Sequence, residues 1–449
     1  MSGKQAVSSS AFAGETGPAA AQAASPANSS KSFAVGSSIY LVSNILNGLV
    51  PFALLPVLTR YLTPAEYGEV AMFQTWIAAL AAFTGLSVHG AAERKYYDTR
   101  SDENELRCFI GACLQVLVLS TLATFCIVSI FRTQLAELLG LSTEWLLWGV
   151  GVSTAGFLVQ IRLGQWLVRK KALAYGVLQL SLSLALTLLS ILTVVVLLWA
   201  SEGRILAQIW TAAAFMGISL YFLHADKLIA FNTQWSRIRE ALAFGVPLIP
   251  HVAGGFLLAS VDRIVVNAEL GLGPAGMYMV AVQMSTAMLL VFDAVNKAYI
   301  PWLYERLQRD VMAEKRQIVR YTYLYFCIVL LMAALAFLLG PFFIRLIAGE
   351  QYAAAGEVIG WLALGQSFCG MYFMVTNYIF YSKRTAMLSL ATITSGLLNV
   401  GLLLVLIEPL GLTGAAQAFC IAMAARFLLT WVVAQKRHPM PWFDFKPQQ

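Results

Sequence analysis

Charge is what this chain has least of. Only 12% of its 449 residues are Asp, Glu, Lys or Arg, and 59% are hydrophobic, a mix outside that of a water-soluble globular domain. Histidine is scarcer still: His89, His224, His251 and His438 are the only four, and their scatter suggests no histidine-built ligand cluster. The six cysteines, Cys108, Cys113, Cys126, Cys327, Cys369 and Cys420, lie in or beside apolar runs without metal-ligand spacing. They read as packing residues rather than a disulfide framework. No GxxxxGK phosphate loop and no HExxH motif occurs, so ATP hydrolysis by this chain is not expected. Neither a metal nor a cofactor is implied. The outward breaks between apolar runs are short, which leaves little room for an external active site, and a membrane carrier fits better than an enzyme.

What the chain has in abundance is apolar runs of about twenty residues, enough to cross a hydrocarbon core. Twelve are expected, starting near Phe33, Val70, Phe109, Trp145, Tyr175, Ile205, Ala241, Ala275, Tyr321, Gly356, Ala386 and Leu412. Before them, residues 1–32 are rich in Ala, Ser and Gly and read as a disordered tail. With both termini placed in the cytoplasm, 22 of the 30 Lys and Arg fall on the cytoplasmic side and four, Arg60, Arg132, Arg204 and Arg345, on the other. That bias supports the count and the orientation. It also accounts for the net charge of +7, which is therefore no sign of nucleic-acid binding.

An offset of 209 or 210 residues aligns Gly36 with Gly245, Pro64-Ala65 with Pro274-Ala275, Gly140 with Gly349, and Ala207-Gln208 with Ala416-Gln417. A shared offset that agrees with the span count marks an internal repeat. The expected fold is therefore an all-α integral membrane protein of about twelve transmembrane helices. They form two six-helix lobes related by a pseudo-two-fold axis along the membrane normal. The lobes span 33–223 and 241–435, joined by a connector at 224–240 and followed by a tail at 436–449. The connector's apolar residues among charges suit an amphipathic interfacial helix or a solvated loop.

Four cations remain inside expected spans: Arg162, Arg263, Lys297 and Arg426. A cation at the bilayer centre costs about 2.5 to 3.5 kcal/mol on insertion scales, so it usually faces a partner or a watery cavity. Asp262-Arg263 sits near the outer end of the seventh span. Asp293 and Lys297 are four apart on one helical face; a local salt bridge between them would make the pair merely structural. Arg162, Gln165 and Arg169 make a polar stripe on the fourth span. Together the four cations suit an anionic head group, Arg being apt for phosphate because its planar fork binds two oxygens. Asp262 and Asp293 are candidates for ion coupling, or are fixed counterions.

"LLPVLTRYLTPAEYGEV", residues 54–70, resembles the segment after the first span of bacterial polysaccharide flippases. These are the O-antigen type within the multidrug/oligosaccharidyl-lipid/polysaccharide exporter superfamily. Phe244-Gly245-Val246-Pro247-Leu248, Asp262-Arg263, Gly276-Met277-Tyr278 and Gln351-Tyr352-Ala353-Ala354-Ala355 follow in the order that family shows. The resemblance implies a flippase that carries an undecaprenyl-diphosphate-linked oligosaccharide from the cytoplasmic to the periplasmic leaflet of the bacterial inner membrane. It implies substrate contacts at Arg60, Tyr61, Asp262 and Arg263, to which the cavity argument adds Arg162, Lys297 and Arg426. Membrane lipids are partners by necessity, and a polysaccharide polymerase and a chain-length regulator are candidates. The oligomeric state is left open, a monomer being compatible. A multidrug exporter of the same superfamily would share fold and charges; a membrane polysaccharide ligase or polymerase would need a large outer loop.

Overall fold

In the computed structural model, residues 26–98, 102–232, 234–382 and 386–444 are described, with side chains from Val42 onward except Ala386. Residues 1–25 and 445–449 of the expected tails lie outside them, as do the cations Lys4, Arg100, Lys383, Arg384 and Lys446.

With no water to satisfy the backbone in lipid, an apolar chain spans as helices, and the described residues are helical almost throughout. The elements are α1 (Pro26–Tyr61), α2 (Pro64–Leu80), α3 (His89–Asp98), α4 (Glu103–Ile130), α5 (Arg132–Leu139), α6 (Thr143–Val168), α7 (Ala172–Ser190) and α8 (Ala200–Ala225). They continue with α9 (Trp235–Gly245), α10 (Ile249–Ala259), α11 (Val261–Leu270), α12 (Leu272–Arg309), α13 (Met312–Ala348), α14 (Ala355–Tyr381) and α15 (Ala386–Arg437). Among the described residues ten helices are long and apolar enough to cross a membrane. The pair formed by α2 and the Thr84–Asp98 stretch, bent by 57°, makes an eleventh span. At 52 residues α15 would be about 78 Å long if straight, more than twice a bilayer core. It breaks at Gly411, two residues after Pro409, where φ is +56°, and so supplies two spans, for twelve. The first helix starts at Pro26 rather than near Phe33.

Local chemistry sets the ends. Thr63 and Glu66 close a capping box at the start of α2, with the Glu66 carboxylate accepting from the Thr63 amide at 2.7 Å and Pro64 in the first turn. Asp102 and Ser142 cap α4 and α6. Gly140 and Gly349, which the repeat offset pairs, both end helices with positive φ, +63° and +90°. The bend after α2 has no proline. Gly85, Leu86 and Ser87 all take positive φ, and Ser120 accepts the stranded Gly85 amide at 2.8 Å. Such side-chain repair is what lets a membrane helix break.

The two halves pack alike: α1 lies against α7 and α10 against α15, while α2 meets α12 across the lobes. In the second lobe α14 forms the centre, 78% of its most apolar window being buried, whereas α13, at 22%, turns most of its surface outward. After α8 the connector is non-helical over 228–232, with the Ala230 amide donating to the Arg107 carbonyl at 3.3 Å, and the chain turns helical at Trp235.

Candidate functional site

One face of α12 carries the inter-lobe seam. Gly276, Gln283, Leu290 and Lys297 recur every seven residues, two helical turns, and so stand in one row. A Cβ at Gly276 would lie 1.9 Å from the Pro64 carbonyl oxygen, and one at Gly68 would lie 2.0 Å from that of Leu272. The two glycines thus let α2 and α12 cross in backbone contact. One step down, the Tyr67 hydroxyl donates to Gln283 Oε1 and Gln283 Nε2 donates to the Pro51 carbonyl, both at 2.8 Å. At the next step Leu290 meets Gly48 of α1. Around this row the cation-poor end is closed by Tyr352, whose hydroxyl donates to the Leu62 carbonyl at 2.9 Å. Gln351 donates to the Thr59 carbonyl at 2.5 Å, and Asn267 to the Leu138 carbonyl at 3.1 Å. Burial pushes the Tyr352 phenol well above its ordinary pKa, so it stays a donor.

The row then reaches Lys297. Its ammonium lies 2.5 Å from Asp293, and the two side chains are 48% and 42% exposed. The local salt bridge therefore exists, on a helical face that continues the seam. The Asp262 carboxylate, 2% exposed, accepts from the Tyr278 hydroxyl at 2.7 Å and from the Arg263 amide at 2.9 Å. Arg263 is half-buried, with its Nε enclosed and unpaired. Arg60 and Tyr61 are exposed where α1 ends at the cation-poor side.

The other two cations engage elsewhere. Arg162 is 0% exposed inside the first lobe, 2.5 Å from Asp226 and 4.0 Å over the Trp166 ring. Arg426 is half-buried, 3.9 Å over the Tyr372 ring. Thus Asp293 and Lys297 come together, as do Asp262 and Arg263, while Arg162, Lys297 and Arg426 each take a separate partner.

Two features had no clear mark in the sequence. Arg204 lies at the cation-poor end, as the charge count has it, but 7% exposed in α8 and bonded to Ser190 at 3.1 Å. At the cation-rich end Lys95 pairs with Glu240 at 2.8 Å and Arg237 with Glu105 at 2.7 Å. These pairs fasten α9 to α3 and α4, while α10 packs on α15. The short helical turn Val246–Leu248, containing Pro247, separates the two attachments. Near the same end, Lys315 holds the Asp310 carboxyl below its ordinary pKa.

A family model described as "Polysaccharide biosynthesis protein" matches residues 33–307. A protein of the Lsg locus of Haemophilus influenzae is 25% identical over 378 residues, covering 82% of this chain and 90% of its own. An uncharacterised membrane protein of the same organism is 26% identical over 372 residues, covering 82% and 88%. Among solved structures, the lipid II flippase MurJ in an inward closed conformation superposes with a TM-score of 0.70. It is 16% identical, over 90% of this chain and 87% of that one. A point mutant of the Vibrio cholerae MATE transporter VcmN gives a TM-score of 0.59 at 13% identity, over 91% and 98%. The chain is a multi-pass membrane protein with the two-lobe fold of these transporters, and it belongs to the polysaccharide biosynthesis protein family.

Proposed function

We propose that this protein translocates an undecaprenyl-diphosphate-linked oligosaccharide, a surface-polysaccharide repeat unit such as O-antigen, from the cytoplasmic to the periplasmic leaflet of the bacterial inner membrane. Both termini are cytoplasmic in this reading, and the closed, cation-poor end faces the periplasm. The lobes, 33–223 and 241–435, rock about the seam in alternating access, with the Val246–Leu248 joint taking up the bend. Transport is non-enzymatic: the carrier moves the head group and makes or breaks no covalent bond in it.

The single observation that carries this reading is the seven-residue row on α12 that ends at Lys297. An ammonium on the extension of a parting seam is placed to meet a diphosphate as it enters between the lobes. The arriving anion displaces Asp293, which then takes a proton or another cation, and this supplies a route to ion coupling. Arg263, with Arg60 and Tyr61, meets the anion at the outer mouth once the seam opens, Asp262 holding the Arg263 segment to α12. Arg426 is half-buried on the Tyr372 ring and contributes positive potential from inside its lobe. Arg162, enclosed and paired with the partly exposed Asp226, serves the first lobe's structure.

The test is a lipid extract from cells lacking the gene, read by mass spectrometry. Accumulation of a completed polyprenyl-diphosphate oligosaccharide facing the cytoplasm, cleared by the wild-type gene and not by Lys297→Ala, is the expected result. No accumulation in a strain with the pathway active, together with lost resistance to cationic drugs, would replace the flippase with a drug exporter.

A further inference from the structure

Inside the first lobe, between α2, α6, α7 and α8, lies a chamber of about 340 Å³, within the range of roughly 300 to 1,000 Å³ usual for small-molecule sites. Three glutamines, Gln74, Gln160 and Gln208, line it together with Thr211 and His89, and no described lining residue is charged as Asp, Glu, Lys or Arg. Thr211 is 3% exposed and its hydroxyl has no partner; Gln208 Oε1 and His89 Nδ1 are likewise buried and unpartnered. Thr84 and Ser153, in the same wall, satisfy each other at 2.6 Å. Three unmet polar atoms on side chains that line one space are costly in a membrane lobe built for packing alone. A ligand that donates and accepts at once would match the lining amides.

The repeat sharpens the point. The offset that aligns Gln208 with Gln417 places Cys420 opposite Thr211, and the offset that aligns Pro64 with Pro274 places Met284 opposite Gln74. Met284 lines an apolar groove of about 280 Å³ in the second lobe. Gln74 and Thr211 therefore have no matching polar residue in the second lobe, whereas Gln208 keeps one in Gln417.

The chemistry narrows the ligand. An anion would call for Lys or Arg and a bound cation for a carboxylate, whereas the described lining offers neither. A wholly apolar guest would leave the amides unmet. Vicinal hydroxyls and N-acetyl groups match side-chain amides, which donate and accept side by side, and Phe157, Val152, Leu182 and Leu186 offer apolar faces to ring C–H groups. We propose that the chamber binds an uncharged sugar of the lipid-linked glycan. This rests on the flippase reading and divides its labour: Lys297 in the second lobe holds the diphosphate, and the first lobe selects the sugar. The exposed Gly156 and Gln160 form the mouth of the chamber.

The experiment titrates the purified full chain in detergent with uncharged hexoses, deoxyhexoses and N-acetylhexosamines, and separately with inorganic pyrophosphate, following thermal unfolding. At least one sugar raises Tm saturably in the wild type, as ligand linkage requires. Gln208→Leu and Thr211→Val, which nearly keep side-chain volume, each weaken that response about three- to tenfold; Gln160→Leu, at the exposed mouth, is the variant least able to disturb folding and does the same. The pyrophosphate response is lost in Lys297→Ala and kept in the chamber variants. No sugar response in the wild type, or one that survives all three chamber variants, overturns the chamber assignment. The flippase reading stands or falls separately, on accumulation of the lipid-linked unit in cells lacking the gene.

Discussion

Replacing Gly68 with alanine tests the seam with a single methyl group. The added Cβ would stand 2.0 Å from the Leu272 carbonyl oxygen, about 1.4 Å short of the 3.4 Å at which ordinary contact begins. That oxygen is backbone in the first turn of α12, so no rotamer change removes it, and α2 and α12 must part. Overpacking of this kind costs about 1 to 3 kcal/mol, here only in the closed state, because the contact does not exist once the lobes separate. At about 1.4 kcal/mol per tenfold, the ratio of closed to open molecules falls roughly 5- to 150-fold. Spin labels at Glu137 on α5 and at Glu350 in the turn before α14, exposed positions on the two lobes, read the outer-end separation by double electron–electron resonance. Gly68→Ala should move the distribution to longer distances, and Gly276→Ala, whose Cβ meets the Pro64 oxygen at 1.9 Å, should do the same. Gly217→Ala is the control: its Cβ meets nothing within 4 Å, and alanine there should leave the distances alone while stabilising α8 by about 0.5 to 1 kcal/mol. Unchanged distances in folded Gly68→Ala and Gly276→Ala would refute the claim that this crossing is what holds the outer end shut.

Breaking the Arg162–Asp226 pair with Asp226→Ala strands the buried Arg162 guanidinium. Thermal unfolding should show a loss of about 2 to 3 kcal/mol, below the roughly 3 to 5 of fully enclosed pairs because Asp226 keeps 34% of its side chain exposed; Arg162→Met in the same chain should restore part of it. Arg237→Ala removes the closest partner of Glu105, leaving it Lys95 at 3.6 Å, and limited proteolysis should then cut the Gln234 to α9 region faster, whereas Arg94→Ala, on the 68%-exposed side chain of an i,i+4 pair, should change little. The C-terminal segment docks by Trp442, 3% exposed, with Arg316 on Asp444 at 2.8 Å, and His438 stacks on Tyr378 and meets the Tyr381 ring edge-on. Burial, then nearby Lys315, lowers the His438 pKa from 6.5, with Asp310 opposing. A base depressed in the fold gives stability that is complete above pH 6.5 and declines as pH falls toward its folded value, so proteolysis of the tail should accelerate on acidification below 6.5 and lose that dependence in His438→Phe.

The span count was legible because apolar length and charge bias are local properties of the chain. So was the Asp293–Lys297 contact, since four residues on a helix fix their own geometry. The bend at 84–88 was harder to see: only Gly85 hints at it, and Leu86 and Ser87 adopt positive φ because Thr84, Ser120 and Ser153 pay for the broken turn. Cations were the least readable. Arg162 looks like a cavity residue until Asp226, 64 positions away, closes on it, and Arg204 looks like a loop residue until α8 is seen to bury it. The seam itself depends on Tyr67 and Gln283, 216 residues apart, a pairing that no periodicity encodes. The glutamine chamber was missed for a related reason: Gln74, Gln160 and Gln208 stand on three different helices, and each alone is an unremarked polar residue in an apolar run.

The central claim, that the lobes carry a lipid-linked glycan across the bilayer, is tested most directly in proteoliposomes. Vesicles reconstituted with the purified protein and a polyprenyl-diphosphate oligosaccharide in one leaflet would be probed with an impermeant sugar-oxidising enzyme on the other side. The account predicts that the protein raises the rate at which the sugar becomes accessible, and that Lys297→Ala returns it to the protein-free rate. Accessibility no faster than in empty vesicles, with folded protein present at the measured density and each candidate ion gradient imposed in turn, would contradict it.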